Sequence, residues 1–140
     1  MVDWEAFSIS RLAVIDHISI SVRDLARARR FFHAVLSVIG YQILEVRPHT
    51  IGFGKQYPEF WINLRPAMAP LADDCGIHVA LRVRAAELVD AFHDAALAAG
   101  GASDGAPGLR PRHGQGYYAA FIRDPDGNRI EAVTFLQDQQ

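Results

Sequence analysis

The stretches His17-Ile18-Ser19-Ile20-Ser21-Val22-Arg23 and His78-Val79-Ala80-Leu81-Arg82-Val83-Arg84 open alike. In each, apolar residues alternate with small or polar ones, the period of a strand buried on one face. Ile18, Ile20 and Val22 share a face, and so do Val79, Leu81 and Val83. The two histidines lie on the opposite face of their strands. Repetition on this scale decides the architecture before any single element does.

A helical pattern follows each strand. Leu25, Ala28, Phe32, Val35 and Ile39 recur at helical spacing, with Asp24 as N-cap and Gly40 as stop. Leu88, Phe92, Ala95 and Ala99 form the second stripe, ended by Gly100 and Gly101. The pair Phe32-His33 returns as Phe92-His93 at the same depth. Strand-like segments come next: 42–46, 50–53 and 60–64 in the first half, 117–122 and 128–135 in the second. Between Gly101 and Gly116, a stretch rich in Gly, Pro and Arg reads as a short strand and a mobile loop. The order strand, helix, three strands occurs twice, which is α+β and not a doubly wound fold. The expected architecture is two βαβββ modules facing each other across a metal-binding cleft. One domain spans 14–136, with modules at about 14–65 and 76–136, a linker through Pro66 and Pro70, and an N-terminal arm at 1–13.

Composition narrows the function. A formal net charge of −2 gives no electrostatic case for nucleic acid or an anionic membrane. No apolar run approaches the roughly 20 residues that span a bilayer. The first residues, with Asp3 and Glu5, do not read as a signal peptide. Cys75 is the one cysteine, so no intrachain disulfide forms, which fits a cytoplasmic protein.

Asp124-Pro125-Asp126-Gly127 is a hairpin signal, because Pro presets φ, Asp bonds the turn backbone and Gly accepts positive φ. The turn fixes register, and a one-residue slip would send Glu131 to the wrong face. With Ile130 and Ala132 packed inward, Glu131 points to the face that carries His17 and His78. A lone strand histidine is ordinarily structural, and a lone Glu in a last strand is ordinarily an edge charge. Here both histidines start equivalent strands and the carboxylate lies in an otherwise apolar one. Imidazole nitrogen and carboxylate oxygen together suit one divalent metal: Zn, Ni, Mn, Co or Fe.

These features carry a family resemblance. Asp16-His17 with Val22-Arg23-Asp24-Leu25, Gly76-Ile77-His78-Val79-Ala80, and Asp124-Pro125-Asp126-Gly127-Asn128-Arg129-Ile130-Glu131 resemble the vicinal oxygen chelate superfamily. That superfamily includes glyoxalase I, extradiol dioxygenases, fosfomycin-resistance transferases and bleomycin-binding proteins. The resemblance runs from about Val14 to Phe135. It implies His17, His78 and Glu131 as metal ligands and a homodimer as the assembly. Glyoxalase I usually adds a fourth ligand, Glu or Gln, in the last strand of the first module. In this chain that strand is Glu59-Phe60-Trp61-Ile62-Asn63-Leu64, in which no residue clearly fills the role. A three-ligand facial triad is expected instead, which keeps oxygen chemistry open.

Around the metal, Tyr117 and Tyr118 alternate, so one should face the cleft as a hydrogen-bond donor and the other pack away. Arg110, Arg112 and His113 are expected to form a mobile lid for a substrate carboxylate or phosphate, since Arg matches such groups in two-pronged fashion. Arg82 shares the face of His78, where a buried charge needs a partner. Trp61 and Asn63 alternate onto the cleft face of their strand. His33 and His93 read as surface or boundary residues. The leading reading is a metal-dependent lyase or isomerase, with Glu131 and a tyrosine in the chemistry and a small oxygen-rich substrate on the metal. The alternatives are an Fe(II)-type dioxygenase and a non-catalytic ligand-binding or antibiotic-resistance protein.

Overall fold

Val22, Ile51, Phe53, Phe60 and Ile62 come from three strands, and all lose essentially their whole surface to one helix. The chain is seen in a computed structural model that describes residues 14–137. The arm expected at 1–13 lies outside the described residues. In order, the elements are β1 (Ile18–Val22), α1 (Leu25–Val38), β2 (Gln42–Val46), β3 (Thr50–Gly54) and β4 (Pro58–Leu64). The second set is β5 (His78–Arg82), α2 (Ala86–Ala98), β6 (Ala102–Leu109), β7 (Tyr117–Arg123) and β8 (Arg129–Phe135), with a 3₁₀ turn at Pro111–His113. The two sheets run β1-β4-β3-β2 and β5-β8-β7-β6, so the second module repeats the order of the first. Each opening strand pairs parallel with its module's last strand, and the remaining pairs are antiparallel. The fold is the expected α+β pair of βαβββ modules.

Each helix begins where the strand's alternation stops. Asp24 caps α1 by accepting from the Arg27 backbone N–H at 3.0 Å. Gly40 ends that helix at φ +90°, a conformation only Gly enters freely. Phe32 packs among Phe31, Phe53 and Phe60, with ring centroids 5.0 to 6.4 Å apart. From the second module, Phe92, Ala96, Ile122, Ile130 and Ala132 join the same core. The chief contact between the modules is α1 against α2. Both helices therefore share one core and leave the other face of each sheet without a helix.

Two expectations are corrected. The Gly/Pro-rich stretch after Gly101 is mostly strand: β6 runs eight residues and pairs with β7 through register shifts near Gly105 and Gly108. Its glycines are bulge sites rather than marks of a loop. His93 is buried, with Nε2 2.8 Å from Ser103 Oγ.

Candidate functional site

The helix-free face of the second sheet is set by register. Ala80 on β5 pairs with Glu131 on β8, which pairs with Phe121 on β7, and Phe121 pairs with Gly105 on β6. Glu131 thus stands in a central strand between a methyl group and an aromatic ring, and it is 1% exposed. Its two oxygens are both engaged. His78 Nε2 lies 3.1 Å from Oε1, and the Tyr117 hydroxyl donates to Oε2. Burial, then the Glu131 hydrogen bond, pushes the Tyr117 hydroxyl up to about 12, so it stays a donor. Among the described residues no Lys or Arg pairs with Glu131.

A buried carboxylate with no cation beside it is costly, and a metal ion is one way to offset that cost. The donors suit one. Metal bonds of about 2.0 to 2.2 Å at ordinary coordination angles put neighbouring donors about 3.0 to 3.4 Å apart, and His78 and Glu131 lie 3.1 Å apart. No group of three His, Cys, Asp or Glu side chains placed to hold a metal occurs among the described residues.

His17 has its own arrangement at the start of β1. Its Nδ1 is 2.6 Å from Asp16 Oδ2, which also accepts from the Tyr57 hydroxyl at 2.9 Å. Those two bonds hold the Asp16 carboxyl below its ordinary range. With the proton on Nδ1 donated to Asp16, Nε2 presents a lone pair outward, the tautomer a metal ligand needs. Neither Asp16 nor Tyr57 had an expected role, although a carboxylate next to a histidine is a readable signal.

The other expected residues divide. Tyr117 faces Glu131. Tyr118 points the other way and donates to Asp90 of α2 at 2.6 Å, so it belongs to the core side. Arg82 does lie on the face of His78, but it is exposed and not a buried charge, with its guanidinium 4.5 Å from the Phe135 ring centre. Arg110 lies along β6. It folds back on the Ala106 carbonyl at 2.6 Å and lies over Phe121 at 5.5 Å. Arg112 and His113 are exposed in the 3₁₀ turn, and the His113 ring is 5.2 Å from that of Tyr117.

In the first sheet the matching row is Ser19, Trp61, Gly52 and Glu45. Ser19 pairs with Trp61 as Ala80 pairs with Glu131, so the indole occupies the position that holds the carboxylate in the second module. Asn63, two residues on, donates to Ser19 Oγ at 2.7 Å and to the Ile20 carbonyl at 2.9 Å.

Comparison with known proteins agrees with this fold. The family model described as Glyoxalase/Bleomycin resistance protein/Dioxygenase superfamily matches residues 14–132. No curated protein matches. Among solved structures, a glyoxalase/bleomycin resistance protein from Albidiferax ferrireducens T118 is 28% identical at a TM-score of 0.74, over 86% of this chain and 98% of that one. A glyoxalase/bleomycin resistance protein/dioxygenase family enzyme from Burkholderia phytofirmans PsJN is 22% identical at 0.68, over 89% and 100%. The fosfomycin resistance protein FosX from Mesorhizobium loti is 19% identical at 0.62, over 84% and 88%. With two βαβββ modules and a family match across most of its length, the chain belongs to the glyoxalase/bleomycin resistance protein/dioxygenase superfamily.

Proposed function

We propose that this protein is a metal-dependent, glyoxalase-like enzyme of the lyase or isomerase type, acting on a small oxygen-rich substrate. The observation that carries the reading is Glu131, fully buried yet ionisable, held by His78 and Tyr117 on a helix-free sheet face. His78, Glu131 and His17 would hold one divalent ion. Bound there, the metal supplies Lewis-acid polarisation of substrate oxygens. The chain's own groups do the rest. Tyr117 fixes Glu131 Oε2, and Asp16 fixes the His17 ring. Arg82 offers a cation to an anionic substrate from the same face as His78.

The His17 site and the His78–Glu131 site are completed by pairing two copies of the chain. The apolar residues beside the two histidines support this: Val14 is 96% exposed, Ile15 77% and Ile77 76%. An interface that covers them removes a large apolar area from water.

The test is metal content of protein purified without an affinity tag, beside Glu131→Gln. Wild type should hold one ion per chain. Gln keeps the size and removes the anion, so affinity should fall more than tenfold, about 1.4 kcal/mol or more. A folded Glu131→Gln protein with full metal occupancy would remove the site and the enzyme with it.

One observation favours a second reading. Trp61 occupies the row position where a fourth carboxylate would stand, leaving two imidazoles and one carboxylate. That set suits an Fe(II) oxygenase. Oxygen uptake that needs Fe(II) and is absent with Zn would select it over the lyase.

A further inference from the structure

Trp61 is built as a platform. Its indole leans across β3 into space that Gly52 leaves open: a Cβ on Gly52 would lie 2.9 Å from Cη2 and 3.0 Å from Cζ2 of the ring. No other residue fits beneath it without a shift. The ring is half-buried, and the Arg47 guanidinium covers it, 5.0 Å from the ring centre. Among the described residues, the Arg47 guanidinium is held by Glu45 at 2.7 Å, an exposed pair. An exposed ion pair is weak because water screens it, and a cation–π contact at an exposed site is weak as well. The cover is thus weakly held, whereas the floor is rigid.

We infer that the Trp61 face is a binding site for a planar, conjugated ring bearing a carboxylate. The ring stacks on the indole in the place of the guanidinium, and Arg47 turns outward to pair with the carboxylate. Flat conjugated surface suits the indole by offset stacking, and Arg supplies the two parallel donors that a carboxylate accepts. Trp61 stands in the first sheet where Glu131 stands in the second, so one row position serves the metal in one module and the ring in the other. That this ring belongs to the substrate rests on the metal-enzyme reading above. Binding of the ring to Trp61 does not.

The experiment follows Trp61 fluorescence in full-length Trp4→Phe protein, where Trp61 is the sole remaining tryptophan. The probe is 2-naphthoate, with cyclohexanecarboxylate as the non-planar anion of equal charge. Saturable quenching by naphthoate with at least tenfold weaker binding of cyclohexanecarboxylate is expected. Binding is also followed by calorimetry, because variants at Trp61 lose the reporter. Trp61→Leu should weaken naphthoate at least tenfold, and Arg47→Met, an exposed change that leaves the core alone, about threefold or more. Glu131→Gln, which removes the metal ligand, should bind naphthoate within about threefold of wild type. Equal affinity for the two anions, or undiminished binding in Trp61→Leu and Arg47→Met, overturns the platform. Loss of binding in Glu131→Gln with no loss in Trp61→Leu places the carboxylate on the metal and also overturns it. Failure of metal binding alone leaves the quenching result standing and sinks only the enzyme reading.

Discussion

At the scale of single residues, the site depends on hydrogen bonds that fix the ligands. Tyr117 donates to a buried carboxylate oxygen, and Phe there would leave Oε2 with no donor. Stranding a buried acceptor costs about 1 to 3 kcal/mol, and removing a partner that orients a metal ligand weakens metal about 10- to 100-fold. Tyr117→Phe should therefore lose both stability in urea and metal affinity. Unchanged metal affinity would make Tyr117 a packing residue only. Asp124 gives a pH prediction outside the site. It is 4% exposed, and burial raises its carboxyl to about 6 against the N–H groups of Asn128 and Asp126 that pull it down. The folded protein then holds this proton more tightly than the unfolded chain, which has the ordinary value of 3.8. Its contribution to stability is fully present below about pH 4 and is lost as pH rises through about 6, on the order of 3 kcal/mol. Asn cannot titrate, so the stability difference between wild type and Asp124→Asn should move by about that amount between pH 4 and pH 7. A difference that stays flat across that range would show that Asp124 titrates normally in the fold.

At the scale of elements, the two helices differ at their starts. α1 has a side-chain cap in Asp24, whereas α2 begins at Ala85, which offers none. Ala85 already has extended backbone at φ −152° and ψ 150°, so Asp fits there without a change of path. An N-cap of this kind contributes about 0.5 to 2 kcal/mol. Ala85→Asp should raise stability by about that much and Asp24→Ala should lower it similarly, both read from urea midpoints at constant slope. A neutral Ala85→Asp would mean that the first turn of α2 is already satisfied by other donors and acceptors. The elements were largely legible in the sequence, because alternation in β1 and β5 and the apolar stripes of α1 and α2 are strong periodic signals. β6 was not. Its Gly105, Pro107 and Gly108 imitate a loop, and only pairing with β7 across the register shifts holds the segment extended. Nor does the sequence show that β6 carbonyls and the Phe121 ring hold the Arg110 side chain. The side of the sheet on which Tyr117 and Tyr118 fall was undecidable from alternation alone, since it depends on β7 pairing Phe121 with Glu131.

At the scale of the molecule, contacts far apart in sequence join the modules, which periodicity does not reveal. Asp126, buried in the hairpin turn before β8, accepts from Arg23 at 3.0 Å and Arg27 at 3.1 Å, both in the first module. Asn128 donates across the same seam to the Ser21 carbonyl at 2.9 Å. The turn that sets the register of Glu131 therefore also sets how one module meets the other. Within one chain, His17, His78 and Glu131 do not form a group placed to hold a metal, and a second copy related by a two-fold axis is the proposed remedy. If so, metal binding obeys an arithmetic that a single-chain site does not. His17→Ala and Glu131→Gln should each be metal-poor alone. Mixed one to one and allowed to exchange, about half of the dimers become heterodimers. In each, one site joins the intact His17 of one chain to the intact Glu131 of the other, while the second site carries both changes. About a quarter of wild-type metal should then return, with the mass of a dimer in light scattering. A mixture as metal-poor as its parts, in protein shown to have exchanged, would place all three ligands within one chain and require the seam at Asp126 to rearrange when metal binds.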